Sequence, residues 1–255
     1  MSQTRIPVAL QLYTVRDEAA KDFVGTLRRV AAMGYAGVEL AGTTGGLSAK
    51  ELKKVLDDLG LRCAGGHVGL DVLERDVSAI VDDYLTLGSR YVTVPWTPEE
   101  MRASEAACKA LARRLSAVGA AYRERGLTVS YHNHAAEFQR FGNRYALEII
   151  YDESDPTAVK GQPDVYWIVY AGADPVAWLR NHPGRCPLVH LKDMAPGPQR
   201  TFAEIGEGII DFQPIFAACQ VAGTEWYIVE QDICARPTLE SAALSLRHLK
   251  EWGIA

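Results

Sequence analysis

A helical pattern, then a glycine, then a short apolar run recurs along the chain. Six segments show it: MGYAGVEL, LGLRCAGGH, LGSRYVTVPW, RGLTVSYHNH, PGRCPLVHLKD and AGTEWYIVEQD. A glycine just past a helix adopts the left-handed conformation that other residues avoid, so it ends the helix and lets the chain turn into a strand. The repeat therefore predicts alternating helices and strands, with five glycines as helix terminators: Gly34, Gly60, Gly88, Gly126 and Gly223.

Two further apolar runs, at residues 8–13 and 165–169, bring the number of predicted strands to eight. Strands that alternate with helices pair in parallel, because each helix returns the chain to the same edge of the sheet. Eight such units predict an α/β fold in which residues 1–255 form a single-domain (β/α)8 TIM barrel. The alternative, an open doubly wound sheet, usually has a GxGxxG turn after its first strand, and that turn is absent here.

The composition narrows the class of partner. The formal net charge is −5 and the Lys and Arg residues are scattered, which argues against a nucleic-acid binder. Five cysteines without a CxxC spacing argue against a disulfide framework and a thiolate metal cluster. With no signal-peptide pattern and no apolar run of about 18 residues, we expect a cytoplasmic protein that binds no membrane. A small polar molecule is the expected partner, and the sequence leaves homo-oligomer formation open.

Polar residues fall where the predicted strands end. In parallel barrels these ends converge on one face, which carries the catalytic groups. Because side chains alternate along a strand, His132 shares a face with His134, and His190 shares one with Lys192. The residues at these positions are Glu39, His67, Trp96, His132, His134, His190, Lys192 and Glu230, whereas Asp164 stands at the head of its predicted strand, 165–169.

A buried imidazole or carboxylate without a partner loses several kcal/mol of solvation. Two histidines and two carboxylates from four neighbouring strands could satisfy one another, but a divalent cation satisfies them together and leaves room for substrate. Mixed nitrogen and oxygen donors suit manganese, cobalt, iron or zinc and, less well, magnesium. The pattern therefore indicates a metal site at the barrel mouth.

Five segments carry a resemblance to a known family: YHNHAAEF (131–138), DVYWIVYAGADP (164–175), LVHLKD (188–193), GEGIIDFQPIF (206–216) and VEQD (229–232). In them the chain resembles the xylose isomerase-like barrels, a family of sugar phosphate isomerases and epimerases that includes inosose dehydratases and ketose 3-epimerases. The resemblance implies a divalent metal, with manganese favoured over cobalt, zinc or magnesium. The implied ligands at the ends of strands five to eight are His132, Asp164, His190 and Glu230.

The chain departs from the ketose epimerases of this family at strand five. Those enzymes carry a glutamate there that binds metal and moves a proton, and the equivalent residue here is His132. Trp167 stands where many members have a histidine, three residues after the strand-six aspartate. The resemblance is closer to the inosose-dehydratase branch, whose fifth strand also ends in a histidine run. Which of His132 and His134 binds the metal is left open.

Catalytic and substrate-binding roles follow from these positions. His134 and Glu230 are the expected base and acid, and Lys192 is expected to stabilise a developing oxyanion. Four residues are expected to contact the substrate through hydrogen bonds or by stacking on a sugar ring: Glu39, His67, Trp96 and Trp167.

Three functions are compatible with this site. The first is a metal-dependent isomerase or epimerase that acts on a ketose or related polyol through an enediolate. The second is a metal-dependent dehydratase of a keto-inositol or a 3-keto sugar, since the same intermediate can expel a β-hydroxyl. The third, from another class, is a carbohydrate-binding barrel without catalysis, and the metal-ligand pattern argues against it.

Overall fold

The computed structural model describes residues 5–255 and shows eight parallel strands arranged as a barrel, which confirms the predicted fold class. The first four residues of the predicted domain lie outside the described part. The barrel strands are β1 (Val8–Gln11), β2 (Gly37–Leu40), β3 (Arg62–Gly66), β4 (Tyr91–Val94), β5 (Thr128–His132), β6 (Val159–Gln162), β7 (Leu188–Leu191) and β8 (Trp226–Val229).

The strands form two arcs that meet at polar residues. One arc has the order β3-β2-β1-β8-β7 and the other has the order β4-β5-β6, with every pair parallel. Parallel bridges from His67 to Thr93 and from Asp164 to His190 join the arcs and close the barrel. Each of these two bridges therefore includes a residue that the sequence assigned to the site, His67 in one and both Asp164 and His190 in the other.

Among residues 5–255, ten helices lie between consecutive barrel strands and an eleventh follows β8. They are α1 (Arg16–Lys21), α2 (Phe23–Met33), α3 (Ala49–Asp58), α4 (Leu70–Arg75), α5 (Val77–Thr86), α6 (Glu105–Arg123), α7 (Ala146–Glu153), α8 (Val165–Tyr170), α9 (Pro175–Asn181), α10 (Phe212–Ala222) and α11 (Thr238–Glu251). Short 3-10 turns cover Leu12–Val15, Glu99–Met101 and Ala135–Phe138, and two small hairpins pair Arg140–Phe141 with Arg144–Tyr145 and Asp193–Met194 with Phe202–Ala203. Glycines at the helix ends have the predicted left-handed conformation, for example Gly34 (φ 98°) and Gly223 (φ 74°).

The prediction for the sixth strand was wrong. Residues 165–169 lie in the helix α8, and the strand is the preceding segment Val159–Gln162. Asp164 caps this helix, since its side chain accepts the backbone N–H of Trp167 at 3.0 Å. A short apolar run is compatible with a buried helix as well as a strand, and the helix is the outcome here.

The barrel interior has an apolar layer below a polar one. Ala9, Leu188 and Ile228 belong to a buried apolar cluster at the amino-terminal side of the strands. Two residues further along the same strands, on the same face, lie Gln11, His190 and Glu230. The residues between them, such as Leu10, Val189 and Val229, pack in the core between the strands and the outer helices. The period of two thus places Gln11, His190 and Glu230 together at the carboxyl end of the barrel interior.

Two further expectations concern helices and cysteines. Within residues 5–255, no helix combines the length and apolar character needed to cross a membrane. The five cysteines are free thiols, and only Cys234 among them is not buried.

Candidate metal centre

A pocket of about 380 Å³ opens at the carboxyl ends of the barrel strands. It lies above the polar layer of the interior, so its floor is formed by residues at the last positions of the strands. The side chains around it include Tyr13, His67, Trp96, His132, His134, Glu230 and Asp232. The pocket therefore gives a small molecule access to the residues that the sequence placed at the strand ends.

The four implied metal ligands converge at this pocket. His132 ends β5, Asp164 lies just past β6, His190 lies in β7, and Glu230 follows β8. Each offers one donor atom, and these atoms lie within 4.8 Å of one another with all four residues buried. Donors at metal–ligand distances near 2.1 Å from one ion have separations of this size. A second group, His67 with His132 and His190, meets the same distance limit and shares two residues with the first.

Two buried donor atoms in this group lack hydrogen-bond partners among the described residues. They are Nδ1 of His132 and Oδ2 of Asp164. Nε2 of His132 lies 3.9 Å from that carboxylate oxygen. Burial, together with the nearby His190, lowers the pKa of His132 well below 6.5, so its imidazole is neutral and can donate a lone pair. The donor set therefore fits a divalent cation held by nitrogen and oxygen ligands.

His190 lies between two carboxylates. Its Nε2 is 2.7 Å from Glu39 Oε2, and its Nδ1 is 2.8 Å from Glu230 Oε2. Burial by itself would lower the pKa of His190, but the two carboxylates raise it to about 10. The ring is therefore a doubly hydrogen-bonded imidazolium in this arrangement, and a metal ion on Nδ1 would replace one proton.

The ammonium group of Lys192 lies among the carboxylates of the same cluster. Its Nζ lies 2.7 Å from Glu230 Oε2, 2.7 Å from Asp232 Oδ2 and 3.0 Å from Asp164 Oδ2. The contact with Asp164 is close but forms no hydrogen bond, since that oxygen is without such a partner. Burial opposes the charge, yet the three carboxylates keep the pKa of Lys192 well above 10.5. Lys192 is therefore a fixed ammonium ion beside the candidate ligands.

His134 stands on the wall of the pocket. Its ring centroid is 5.0 Å from that of His132 and 5.4 Å from that of Trp167. Burial and the nearby Lys192 lower the pKa of His134 to about 4, so the imidazole is neutral at pH 7. Its backbone N–H donates to Oε2 of the buried Glu137 at 2.8 Å. This hydrogen bond fixes the backbone from which the imidazole projects.

The four predicted substrate contacts occupy different depths. His67 and Trp96 line the pocket, and Trp96 is 57% exposed. Trp167 is partly buried beside His134, with Lys192 Nζ 5.8 Å from its ring centroid. Glu39 has no exposed surface. Substrate binding by these residues stays a prediction, and the depth of Glu39 favours a contact with His190 over a contact with a sugar.

Sequence reasoning did not assign three residues that the structure brings to this site. Asp232 contacts Lys192, Asn133 Oδ1 accepts the backbone N–H of Asp164 at 3.1 Å, and Gln162 Nε2 donates to Glu39 at 2.5 Å. Asp232 could have been found, since it lies two residues after Glu230 on the same face. A signal for Gln162 was also present, because it precedes Pro163 and the residue before a proline favours extended backbone. That preference is consistent with the position of Gln162 at the end of β6.

Comparison with protein families gives one match that spans most of the chain. The sequence profile of the xylose isomerase-like TIM barrel family matches residues 27–252. The match covers seven of the eight barrel strands and all four candidate ligands.

Individual relatives carry two kinds of name. An inosose dehydratase from Geobacillus thermodenitrificans is 29% identical over 158 residues, which are 54% of this chain and 52% of that protein. An inosose dehydratase from Clostridium botulinum is 25% identical over 270 aligned positions, covering 90% of this chain and 89% of that protein. The crystal structure of a sugar phosphate isomerase/epimerase from Parabacteroides distasonis superposes with a TM-score of 0.83 at 27% identity, covering 98% and 96% of the two chains. In the first of these matches, as in several others, the chain spans about half the length of the curated relative.

Proposed function

The chain belongs to the xylose isomerase-like TIM barrel family, and from this premise we propose that it is a metal-dependent enzyme that deprotonates a carbon next to a carbonyl group of a sugar or polyol. One observation carries the proposal. Four donor side chains from four strands converge within 4.8 Å at the floor of a pocket whose wall holds the neutral His134. A buried donor set beside a neutral base suits proton abstraction at a carbon that a cation activates.

The candidate ligands are His132, Asp164, His190 and Glu230. A bound divalent ion supplies electrophilic stabilisation for the negative charge that develops when a C–H next to a carbonyl loses its proton. Manganese is the ion we favour, with cobalt, zinc or magnesium as alternatives, because the set mixes two imidazoles with two carboxylates.

His134 is the proposed base. It lines the pocket, and its imidazole is neutral at pH 7, so it can accept a proton. The hydrogen bond from its backbone N–H to Glu137 holds the main chain in one position. Trp167 packs beside the ring and limits its movement.

Lys192 contributes a permanent positive charge close to the pocket floor. Its side chain is 1% exposed, so we expect it to act on the substrate through its electrostatic field and not by direct contact. Three neighbouring carboxylates hold the ammonium group in place. A fixed charge that needs no reorganisation stabilises a developing oxyanion more effectively than water does. Trp96, which is exposed at the pocket, offers an apolar face for the ring of a sugar or polyol.

Among the outcomes of this first step, we infer that loss of a β-hydroxyl from a keto-inositol or a 3-keto sugar is the best supported. Epimerisation needs a second group to return the proton to the opposite face of the carbon. Strand five ends in His132, where ketose epimerases carry a glutamate, and Oε2 of Glu230 is already hydrogen-bonded to His190 and ion-paired with Lys192. The relatives named inosose dehydratase support the same reaction class.

Isomerisation or epimerisation of a ketose is the second candidate. The observation in its favour is the likeness to the Parabacteroides distasonis protein, which is named sugar phosphate isomerase/epimerase. The superposition of the two structures covers nearly all of both chains. For this reaction His134 would serve as the base, and the oxygen of Glu230 other than Oε2 would serve as the site that takes up and returns the second proton.

A solvent-exchange experiment tests the shared first step. Protein loaded with manganese or cobalt is incubated in ²H₂O with keto-inositols, 3-keto sugars and ketoses, and deuterium at the carbon next to the carbonyl is followed by NMR. A rise in ultraviolet absorbance from a conjugated product identifies dehydration, whereas a new sugar without that rise identifies isomerisation or epimerisation.

His134→Asn is the informative variant in this experiment, and His248→Gln is its control, since His248 bonds to the Ile205 carbonyl outside the pocket. We expect exchange to fall by about 100-fold or more in the first variant, the scale of a lost general base, and to be unchanged in the second. Equal exchange in wild type and His134→Asn would contradict the proposed base. Stoichiometric metal without exchange on any of these substrates would favour the binding barrel.

A further inference from the structure

Glu39 makes a hydrogen bond that crosses the interior of the barrel. It lies in β2, and its Oε2 is 2.7 Å from Nε2 of His190 in β7, three strands away in the sheet order. Neither residue has exposed surface. A contact between two such strands forms only through the barrel interior, so it is a property of the closed fold.

The oxygens of Glu39 are taken up by protein donors. Oε2 accepts from Gln11 Nε2 at 2.6 Å as well as from His190, and Oε1 accepts from Gln162 Nε2 at 2.5 Å. His67 Nε2 lies 3.4 Å from Oε2 and 2.8 Å from Gln162 Oε1, so the same network reaches a residue of the pocket wall. Donors from four other strands or strand ends thus hold this carboxylate in one orientation.

The two nitrogens of His190 therefore have different surroundings. Nε2 faces Glu39, which is not in the group of four candidate ligands. Nδ1 faces Glu230, which is in that group. A carboxylate that accepts one N–H of an imidazole selects the tautomer whose other nitrogen carries the lone pair.

We propose that Glu39 is a positioning residue that holds the proton of His190 on Nε2 and so directs the Nδ1 lone pair at the metal. This inference rests on the proposed metal-dependent function. It gives Glu39 a role beneath the pocket floor, where a substrate hydroxyl has no access. Without the carboxylate, the imidazole can adopt the other tautomer or rotate, and metal affinity falls. Loss of such outer partners of a ligating histidine lowers metal affinity by about 10–100-fold.

The test compares three variants of the full chain: Glu39→Gln, Glu204→Gln and His190→Gln. Glu204→Gln is the matched control, because Glu204 is also a buried glutamate, with partners Ser241 and Arg236 outside the group of candidate ligands. Cobalt affinity is measured by titration, and the visible absorption of the bound cobalt reports its ligand geometry. NMR of ¹⁵N-labelled imidazoles in the zinc-loaded protein reports which nitrogen of His190 carries the proton.

We expect Glu39→Gln to weaken cobalt binding by about 10–100-fold, to change the cobalt spectrum and to shift the Nε2–H resonance of His190. Glu204→Gln should change neither the cobalt absorption spectrum nor the NMR spectrum of His190, even if it lowers the melting temperature as much as Glu39→Gln does. Unchanged affinity and spectra in Glu39→Gln would overturn the positioning role.

The His190→Gln variant separates the two proposals. If it loses metal while Glu39→Gln does not, the metal site stands and only the positioning role is wrong. If neither loses metal, the metal site itself is wrong. If Glu39→Gln does not fold, Gln11→Leu serves as the test. This variant removes one hydrogen-bond donor that orients the Glu39 carboxylate, and it leaves the charge of Glu39 unchanged. Weaker cobalt binding in that variant supports the role, and unchanged binding overturns it.

Discussion

Lys192 holds its ammonium group 2.7 Å from Glu230 Oε2, where the candidate ligands converge. The variant Lys192→Met removes the cation that pairs with Glu230, Asp164 and Asp232. Glu230 still pairs with His190 in this variant. Removing one partner of a buried ion pair costs about 3–5 kcal/mol, so we expect a clearly lower melting temperature for the metal-free variant. Manganese should raise that temperature more in the variant than in wild type.

Calorimetry of both proteins with and without manganese measures this effect. Lys54→Met is the control, because the Lys54 side chain is 75% exposed and pairs with Asp58 at the surface. A variant whose stability matched wild type without metal would show that the ammonium ion is not needed to hold these carboxylates.

Metal affinity should rise with pH. A metal ion on His190 Nδ1 replaces a proton that the site holds with a pKa of about 10, so affinity increases by about tenfold per pH unit below pH 10. Burial raises the pKa of Asp164 to about 6 despite the nearby Lys192, so a second proton competes below pH 6 and the slope becomes steeper there. His132 is neutral across this range and adds no slope. Calorimetric titrations between pH 5 and 8 in buffers of different ionisation enthalpy count these protons, and an affinity independent of pH would contradict the arrangement.

Glu137→Gln should impair catalysis through His134. The Glu137 carboxylate accepts the His134 backbone N–H at 2.8 Å and the Tyr131 hydroxyl at 3.1 Å, and Arg102 lies 3.3 Å away. A shift of about 1 Å in a reacting group can lower the rate by about 100-fold, so we expect a loss of 10- to 100-fold in kcat with metal content unchanged.

The control for this variant is Glu51→Gln. Glu51 accepts the backbone N–H of Ser48 at 2.9 Å in the same kind of capping arrangement, but at the exposed start of α3. It should lower stability slightly and leave kcat unchanged. Equal kcat values for Glu137→Gln and wild type would show that His134 is held by other contacts.

Trp96→Ala should weaken substrate binding without slowing the chemical step. Trp96 is 57% exposed and lines the pocket, so its ring is available to a sugar. Aromatic contacts of this kind contribute about 0.5–1.5 kcal/mol, which corresponds to an increase in KM of about 2- to 12-fold with kcat retained. Trp252→Ala, at an exposed tryptophan near the end of the chain, is the control for loss of an aromatic surface. A lower kcat in Trp96→Ala would place the residue in the catalytic step instead.

The strands that could be predicted are those with a clear local pattern. A glycine terminator followed by an apolar run marks β2, β3, β4, β5 and β8, and each glycine has the expected positive φ. The sixth strand lacks that pattern, since its sequence is VKGQ and includes a glycine packed against the Tyr151 hydroxyl. The apolar run after Asp164 was more prominent but forms a capped helix. Local hydrophobicity therefore predicted the strand count correctly and placed one strand wrongly.

Sequence alone determined that His190 and Glu230 lie at strand ends, because parallel strands alternate with helices and side chains alternate along a strand. It did not determine this for Asp164, because the strand that Asp164 follows is Val159–Gln162 and not the predicted strand at 165–169. It could not determine which groups these residues contact. The hydrogen bond from His190 to Glu39 joins residues 151 positions apart, and the contact of Lys192 with Glu230 joins separate strands. Only closure of the barrel brings these groups within about 3 Å, and hydrogen bonds and ion pairs act only at such distances. The residue types at the site therefore follow from local patterns, whereas their partners, charges and tautomers depend on the tertiary structure.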